Sequence, residues 1–254
     1  MKSALSCLLV FLLLISCSNS DKLTFKTLNI NEQDSLSDGK ECLDCPKVTI
    51  AIPKALENAK IAKTINTALE EEIISLLLFD DELTVNNMSD AIVSFNKGYQ
   101  EMKTLFEDES PGWEAKINGE VIYEDASLLT VELSSYIFTG GAHGYTSKRF
   151  LNFDKNKGTE LENWELFNST AKFEAFAETK FREQEAIPEN ASINHTGLMF
   201  EKDSFYLPEN IGFTKDGLKL LYNPYEVASF ADGPIELVLS HTDINKYLSK
   251  KPKS

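Results

Sequence analysis

The chain has 254 residues, room for one large domain or two small ones at the usual ~100–200 residues each. With 42% hydrophobic and 26% charged residues it can bury a core, which excludes a disordered chain. A formal charge of −15, from 40 acidic against 25 basic residues, repels phosphate backbones and anionic lipid headgroups; this excludes a nucleic-acid partner and favours a basic one.

Lys2 opens the chain, and Ala4 to Ile15 form an apolar run. That run has the length of a signal-peptide core and falls short of the ~20 residues a bilayer span needs. It ends in Leu14-Ile15-Ser16-Cys17, which resembles the lipobox of bacterial lipoproteins. The resemblance implies that residues 1–16 are removed and that Cys17 is acylated, anchoring the protein in a membrane by lipid. Removal takes away Lys2 and leaves a mature charge of −16. Ser18 after the cysteine resembles an outer-membrane sorting signal, so the expected location is the cell envelope. The polar residues that follow read as a flexible tether, giving a lipidated and tethered segment over 17–44.

Val48–Ile52 is β-branched and bounded by Pro46 and Pro53, which predicts a strand. Ile61, Ile65, Leu69, Ile73 and Leu76 recur at helical spacing and predict a helix over about 55–78. A second helix is expected from Ser89 as N-cap, with Ile92, Phe95, Tyr99, Met102 and Phe106 on one face. From Trp113 the period shortens, predicting strands over 113–123, 128–138 and 145–153 in an antiparallel meander. Asn118-Gly119 and Gly140-Gly141 supply turn chemistry. A third helix is expected over 171–186, then a hairpin of 211–213 and 218–222 about Asp216-Gly217. A strand over 235–239 and a short helix capped by Thr242 or Asp243 end the pattern. Helices alternate with blocks of antiparallel strands, so the fold class is α+β.

Cys42 and Cys45 form a C-x-x-C. A redox pair belongs at a helix N-terminus, where the dipole lowers a thiol pKa, whereas here a proline and a strand follow. A zinc site needs two more ligands, and the other cysteines lie in the leader and at its cleavage point. A local disulfide is the expectation in an oxidising compartment. Phe79-Asp80-Asp81 resembles the metal-binding aspartates of polysaccharide deacetylases. Those sites also need a histidine pair at helical spacing, and His143, His195 and His241 are 52 and 46 residues apart. The aspartates are therefore expected to be solvated charges ending the first helix. Asp154-Lys-Asn156-Lys-Gly158 has Thr159 where a calcium loop needs its sixth-position glycine, and reads as a hairpin turn. No metal and no cofactor is expected.

Gly140-Gly141-Ala142-His143-Gly144 is the most distinctive string. It can serve as a glycine-rich bend in which His143 packs or caps, as an exposed binding loop of Gly140, Gly141, His143 and Tyr145, or as the seat of a general base. No Gly-x-Ser-x-Gly elbow supplies a nucleophile for the last of these.

Tyr136–Gly144, Phe153-Asp154, Gly158 and Trp164-Glu165-Leu166-Phe167 together resemble the extracellular domain of RsiV-type anti-sigma factors. Tyr222-Asn223-Pro224-Tyr225-Glu226-Val227-Ala228, Gly233 and Leu237–Leu239 resemble its C-terminal half. The preceding segment, with Asn66 in its helix, is similar to the domain ahead of the catalytic unit in PdaC-type peptidoglycan deacetylases. The resemblance covers about 45–250 and implies two α+β subdomains, a PdaC-type one over 45–155 and an RsiV-like one over 156–250. It further implies an extracytoplasmic, non-enzymatic module that binds a basic protein such as lysozyme, or cell-wall peptidoglycan. The alternative is an envelope hydrolase acting on cell-wall material through the His143 loop.

Overall fold

The computed structural model describes residues 22–33, 45–57, 59–79, 84–106 and 111–252. Strands β1 (Phe25–Gln33), β2 (Lys47–Ala55), β3 (Glu114–Glu124), β4 (Leu128–Phe138), β5 (Tyr145–Asp154) and β6 (Thr159–Leu161) form one sheet in chain order. All neighbours are antiparallel except β2 and β3, which run parallel. A parallel pair needs a long crossover, and helices α1 (Lys60–Leu77) and α2 (Met88–Leu105) occupy it. Their apolar faces bury Ile65, Leu69, Ile73, Ile92 and Phe95 against Ile50, Ile117, Val131 and Phe153 of the sheet.

The rest of the chain forms a second core around α3 (Thr170–Gln184) and a three-stranded antiparallel sheet. That sheet consists of β7 (Asn210–Phe213), β8 (Gly217–Tyr222) and β9 (Ile235–Ser240), followed by the single-turn α4 (His241–Ile244). The class is α+β. The two halves are stitched at β5 and β7. Asn152, on β5, accepts from the Thr130 hydroxyl at 2.8 Å and donates to the Ile211 carbonyl at 2.6 Å. At Gly212 a Cβ would stand 2.6 Å from the Phe150 ring, so only glycine admits this close approach.

Several expectations give way to nonlocal packing. Phe25–Gln33 falls within the stretch read as a tether, yet it is an edge strand whose Phe25, Leu28 and Ile30 are half-buried on the first core. An edge strand with one lightly covered face carries few apolar residues, so its period is faint. Asn118-Gly119 is no turn. It lies inside β3, paired with Ser134 and Leu133, where a Cβ on residue 119 would meet Pro53 at 2.8 Å. The cap of α2 is Asn87, whose side chain accepts from the Asp90 amide, and the cap of α4 is Ser240. The first sheet continues through β6 to Leu161, so a subdomain boundary at 155/156 falls between two paired strands. The Asp154–Gly158 segment is the β5–β6 turn. Asp154 Oδ1 accepts from the amides of Asn156 and Lys157, and its other oxygen meets Lys250.

Candidate functional site

Gly140 and Gly141 take φ values of 102° and 85° with open space where a Cβ would be. Their role is therefore conformational: they let the β4–β5 connection turn through left-handed space. His143 is thereby set outwards, its ring stacked on Phe230 at 4.0 Å and 11°. Phe230 in turn stacks on Tyr225 at 5.5 Å. Tyr225 is 57% exposed and holds φ 72°, a conformation that L side chains avoid, at a cost of roughly 1–2 kcal/mol. Strain kept at an exposed aromatic is a feature of sites rather than of cores.

The two loops are locked together. The Tyr145 hydroxyl donates to the Pro224 carbonyl at 3.1 Å. The Lys148 amide donates to Asn223 Oδ1 at 2.8 Å, and Asn223 Nδ2 donates to the Lys148 carbonyl at 3.0 Å. The side chain of Asn223 thus acts as one more strand partner for β5. The glycine–histidine string and the Asn-Pro-Tyr string, separately conspicuous in the sequence, form one surface.

Beside this surface lies a cleft of about 360 Å³. Its walls include Glu72 from α1, Tyr145, Lys148 and Arg149 from β5, Asn210 from β7, and Glu209, Asn223 and Glu226 from the loops around β7 and β8. Of the expected loop residues, Tyr145 lines the cleft; Gly140, Gly141 and His143 do not, and His143 stands on the neighbouring ring stack. Arg149 is shared between Glu72 at 3.3 Å and Glu209 at 3.9 Å, while Lys148 pairs with Glu132 at 3.0 Å. Burial raises the Glu226 pKa, helped by the charge of Glu209, against hydrogen bonds from Asn223 and the pull of Arg149. Burial, and then the nearby Glu226 charge, likewise push the Tyr145 hydroxyl up. Asn210 is only 4% exposed, and its Oδ1 is buried without a hydrogen-bond partner. A buried amide oxygen without a protein partner is uncommon in folded chains. No local motif singles out Asn210 in the sequence, and Glu226 stands in the Tyr222–Ala228 string without a feature that marks it as a cleft residue.

His143 Nδ1 lies 3.2 Å from the Gly144 carbonyl, and among the described residues no carboxylate hydrogen-bonds to it. These are the surroundings of a stacking ring rather than of an oriented general base. Cys45 is disulfide-bonded. Cys17, Cys42, Asp80 and Asp81 lie outside the described residues, while Phe79 packs on Phe95 and Trp113. Among the described residues no group of three His, Cys, Asp or Glu side chains is placed to hold a metal ion, and no helix is long and apolar enough to cross a membrane.

Residues 39–146 match the family model described as Deacetylase PdaC, and residues 164–242 match that of a protein of unknown function, DUF3298. No curated protein matches the chain. A crystal structure of a DUF3298 family member from Bacteroides fragilis is similar, with a TM-score of 0.71 at 19% identity, over 91% of this chain and 95% of that one. A DUF3298 family protein from Pseudomonas aeruginosa is also similar, with a TM-score of 0.64 at 18% identity, over 93% of this chain and 100% of that one. At such identities the likeness is one of fold. The cleft takes Glu72 and Tyr145 from the first matched segment, Asn210, Asn223 and Glu226 from the second, and Lys148 and Arg149 from the strand between. The chain thus carries a PdaC-type segment followed by a DUF3298 segment, in a fold shared with DUF3298 family proteins.

Proposed function

We propose that this protein is a non-enzymatic, lipid-anchored module of the cell envelope that holds cell-wall glycan in the cleft between its two segments. The observation that carries the reading is the exposed stack of His143, Phe230 and Tyr225 next to a cleft walled by carboxylates and side-chain amides. A sugar ring offers apolar C–H faces that settle on aromatic rings, and a rim of hydroxyls that need hydrogen-bond partners. The lipobox-like Ser16-Cys17 would keep such a module near the wall, and a PdaC-type segment fits work on peptidoglycan.

The test is co-sedimentation of residues 18–254, which contain the whole described fold, with purified peptidoglycan sacculi. Binding that falls at least about tenfold in Tyr225→Ala supports the reading, a loss of roughly 1.4 kcal/mol. Failure of the wild-type chain to sediment with sacculi overturns it. A second reading, that the ligand is a basic protein such as lysozyme, as in the RsiV branch, is favoured by the charge of −15. It requires binding that collapses as salt is raised, because steering by an acidic surface is screened within about 8 Å at physiological ionic strength. For a hydrolase, muropeptide turnover abolished by His143→Ala would be needed; wild-type behaviour of that variant removes the idea.

A further inference from the structure

We propose that one end of the six-stranded sheet is a membrane-docking face, which rests on anionic lipid headgroups through lysines and Trp164. This rests on the lipid anchor in the reading above and adds how the fold sits over it. Strand β1 falls inside the stretch read as a tether, and Leu23, two residues before it, already belongs to the fold: its amide donates to Glu124 Oε1 at 2.8 Å. Leu23 stands six residues after Cys17, and even a fully extended chain covers no more than roughly 20 Å in that distance. The surroundings of Leu23 are therefore kept close to the bilayer surface. The strand register defines those surroundings. Phe25 pairs with Ala55, β2 runs parallel to β3, Glu124 pairs with Leu129, Leu128 with Asp154 and Asp154 with Thr159. The start of β1, the end of β3 and the β5–β6 turn thus share one end of the sheet.

The exposed charge at that end is largely basic. Lys22, Lys60, Lys157 and Lys251 are exposed there, and the Lys60 ammonium donates to the Lys157 carbonyl at 3.1 Å. The carboxylates nearby are taken up within the fold. Glu124 is held by Lys155 at 2.7 Å, Asp154 by Lys250 and two amides, Asp125 by the amides of Ser127 and Leu128, Glu57 by that of Thr24, and Glu165 by that of Glu162. Trp164 is 67% exposed and shares a surface cavity of about 400 Å³ with Lys157 and Lys250. An exposed indole among lysines suits a headgroup layer, where the ring settles at the interface and the ammonium groups meet phosphates. The charge of −15 opposes such an approach only at a distance; at contact, charges more than about 8 Å away are screened and the local lysines decide. The acidic remainder is turned away, which fixes the orientation. Tyr145 and Asp154 are the two ends of the ten-residue β5, about 30 Å apart at ~3.3 Å per residue. Tyr145 lines the cleft, so docking at the Asp154 end presents the cleft and its ring stack away from the bilayer.

The chain has two tryptophans, and Trp113 is only 5% exposed, so acrylamide quenching of fluorescence reports chiefly on Trp164. The experiment reconstitutes the full chain, purified from bacterial membranes with its acyl label checked, into vesicles of phosphatidylcholine alone or of equal parts phosphatidylcholine and phosphatidylglycerol. The expected result is quenching at least about threefold weaker on the anionic vesicles, a difference that vanishes in Lys157→Glu/Lys251→Glu and at high salt. Trp164→Phe identifies the reporter, and the unfolding midpoint of each variant is recorded so that a folding defect is recognised. Equal quenching on the two kinds of vesicle, with the protein acylated and floating with both, overturns the docking face and leaves the anchor standing. A chain without acyl label at Cys17 that does not float with vesicles overturns the anchor and the docking face together. Protection of Trp164 by peptidoglycan sacculi and not by vesicles transfers this face to the wall and overturns the membrane assignment.

Discussion

The core under the six-stranded sheet is chiefly aliphatic: Ile50, Ile52, Ile65, Leu69, Ile73 and Leu133 lie at the spacing of regular helices and strands. The core of the C-terminal half is a mesh of rings, in which Phe181 touches Phe200, Phe205 and Tyr222 at centroid distances of 5.5, 5.5 and 5.8 Å. Long regular elements bury a stripe of medium side chains each. Short strands and long connections, such as 185–209, must gather the same apolar area from fewer positions, and a ring supplies 150–250 Å² at a time. The difference explains why the second half can carry irregular loops, among them the 223–230 segment of the site, without losing its core.

The contrast can be broken most directly in the aromatic mesh. Phe181→Ala is expected to lower the unfolding free energy by about 3–5 kcal/mol, read by urea denaturation, against about 0.5–1.5 for Ile65→Val in the aliphatic core. A smaller loss at Phe181 than at Ile65 would refute the picture of a ring-dependent half. Next in size is the seam. Asn152→Ala deprives Thr130 and the Ile211 carbonyl of their partner, and roughly 1–3 kcal/mol should go with it. If Asn152 couples the halves, two probes, one in each, should report separate transitions in the variant and one in the wild type.

The Asp154–Lys250 clasp should act at acid pH. Burial of Asp154 alone would raise its pKa, but the Lys250 hydrogen bond and two backbone amides outweigh that and hold it below the usual carboxylate value. A carboxylate with a depressed folded pKa contributes fully above its unfolded value of about 3.9, and the contribution is lost as pH falls through the folded pKa. Lys250→Met should therefore shift the acid-unfolding midpoint, followed by circular dichroism, to higher pH. An unchanged midpoint would mean that the clasp adds no stability. The smallest expected effect is at Tyr225. Replacement by Gly relieves the left-handed strain, so thermal stability should stay within about 1 kcal/mol of wild type while sacculus binding is lost. Coincident loss of both would make Tyr225 a packing residue.

Much of this architecture is readable in the string of residues, and the unreadable parts share a cause. The four-residue rhythm of Ile61, Ile65, Leu69 and Ile73 specifies α1 because a helix face is a local property. The strands of the β3–β4–β5 meander follow from their short period and short connections. By contrast, β1 hides in a polar stretch because only its pairing with β2 orders it, and Asn118-Gly119 carries turn chemistry that the neighbouring Pro53 and Leu133 override. In the site, the glycine–histidine string and Asn-Pro-Tyr stand out by eye, whereas Asn210 and Glu226 become meaningful only when β7 and the 223–230 loop close against β5.

The sequence alone determined the α+β class, most of the element order and the conspicuous loop at 140–145. Each of these resides in neighbours along the chain, where periodicity and turn chemistry act. Only the tertiary structure decided that β2 and β3 run parallel, that the two loops interlock across some 75 residues, and that a buried amide is left with an unmet acceptor. Those outcomes depend on which distant surfaces exclude water from one another, and no short window of residues encodes that choice.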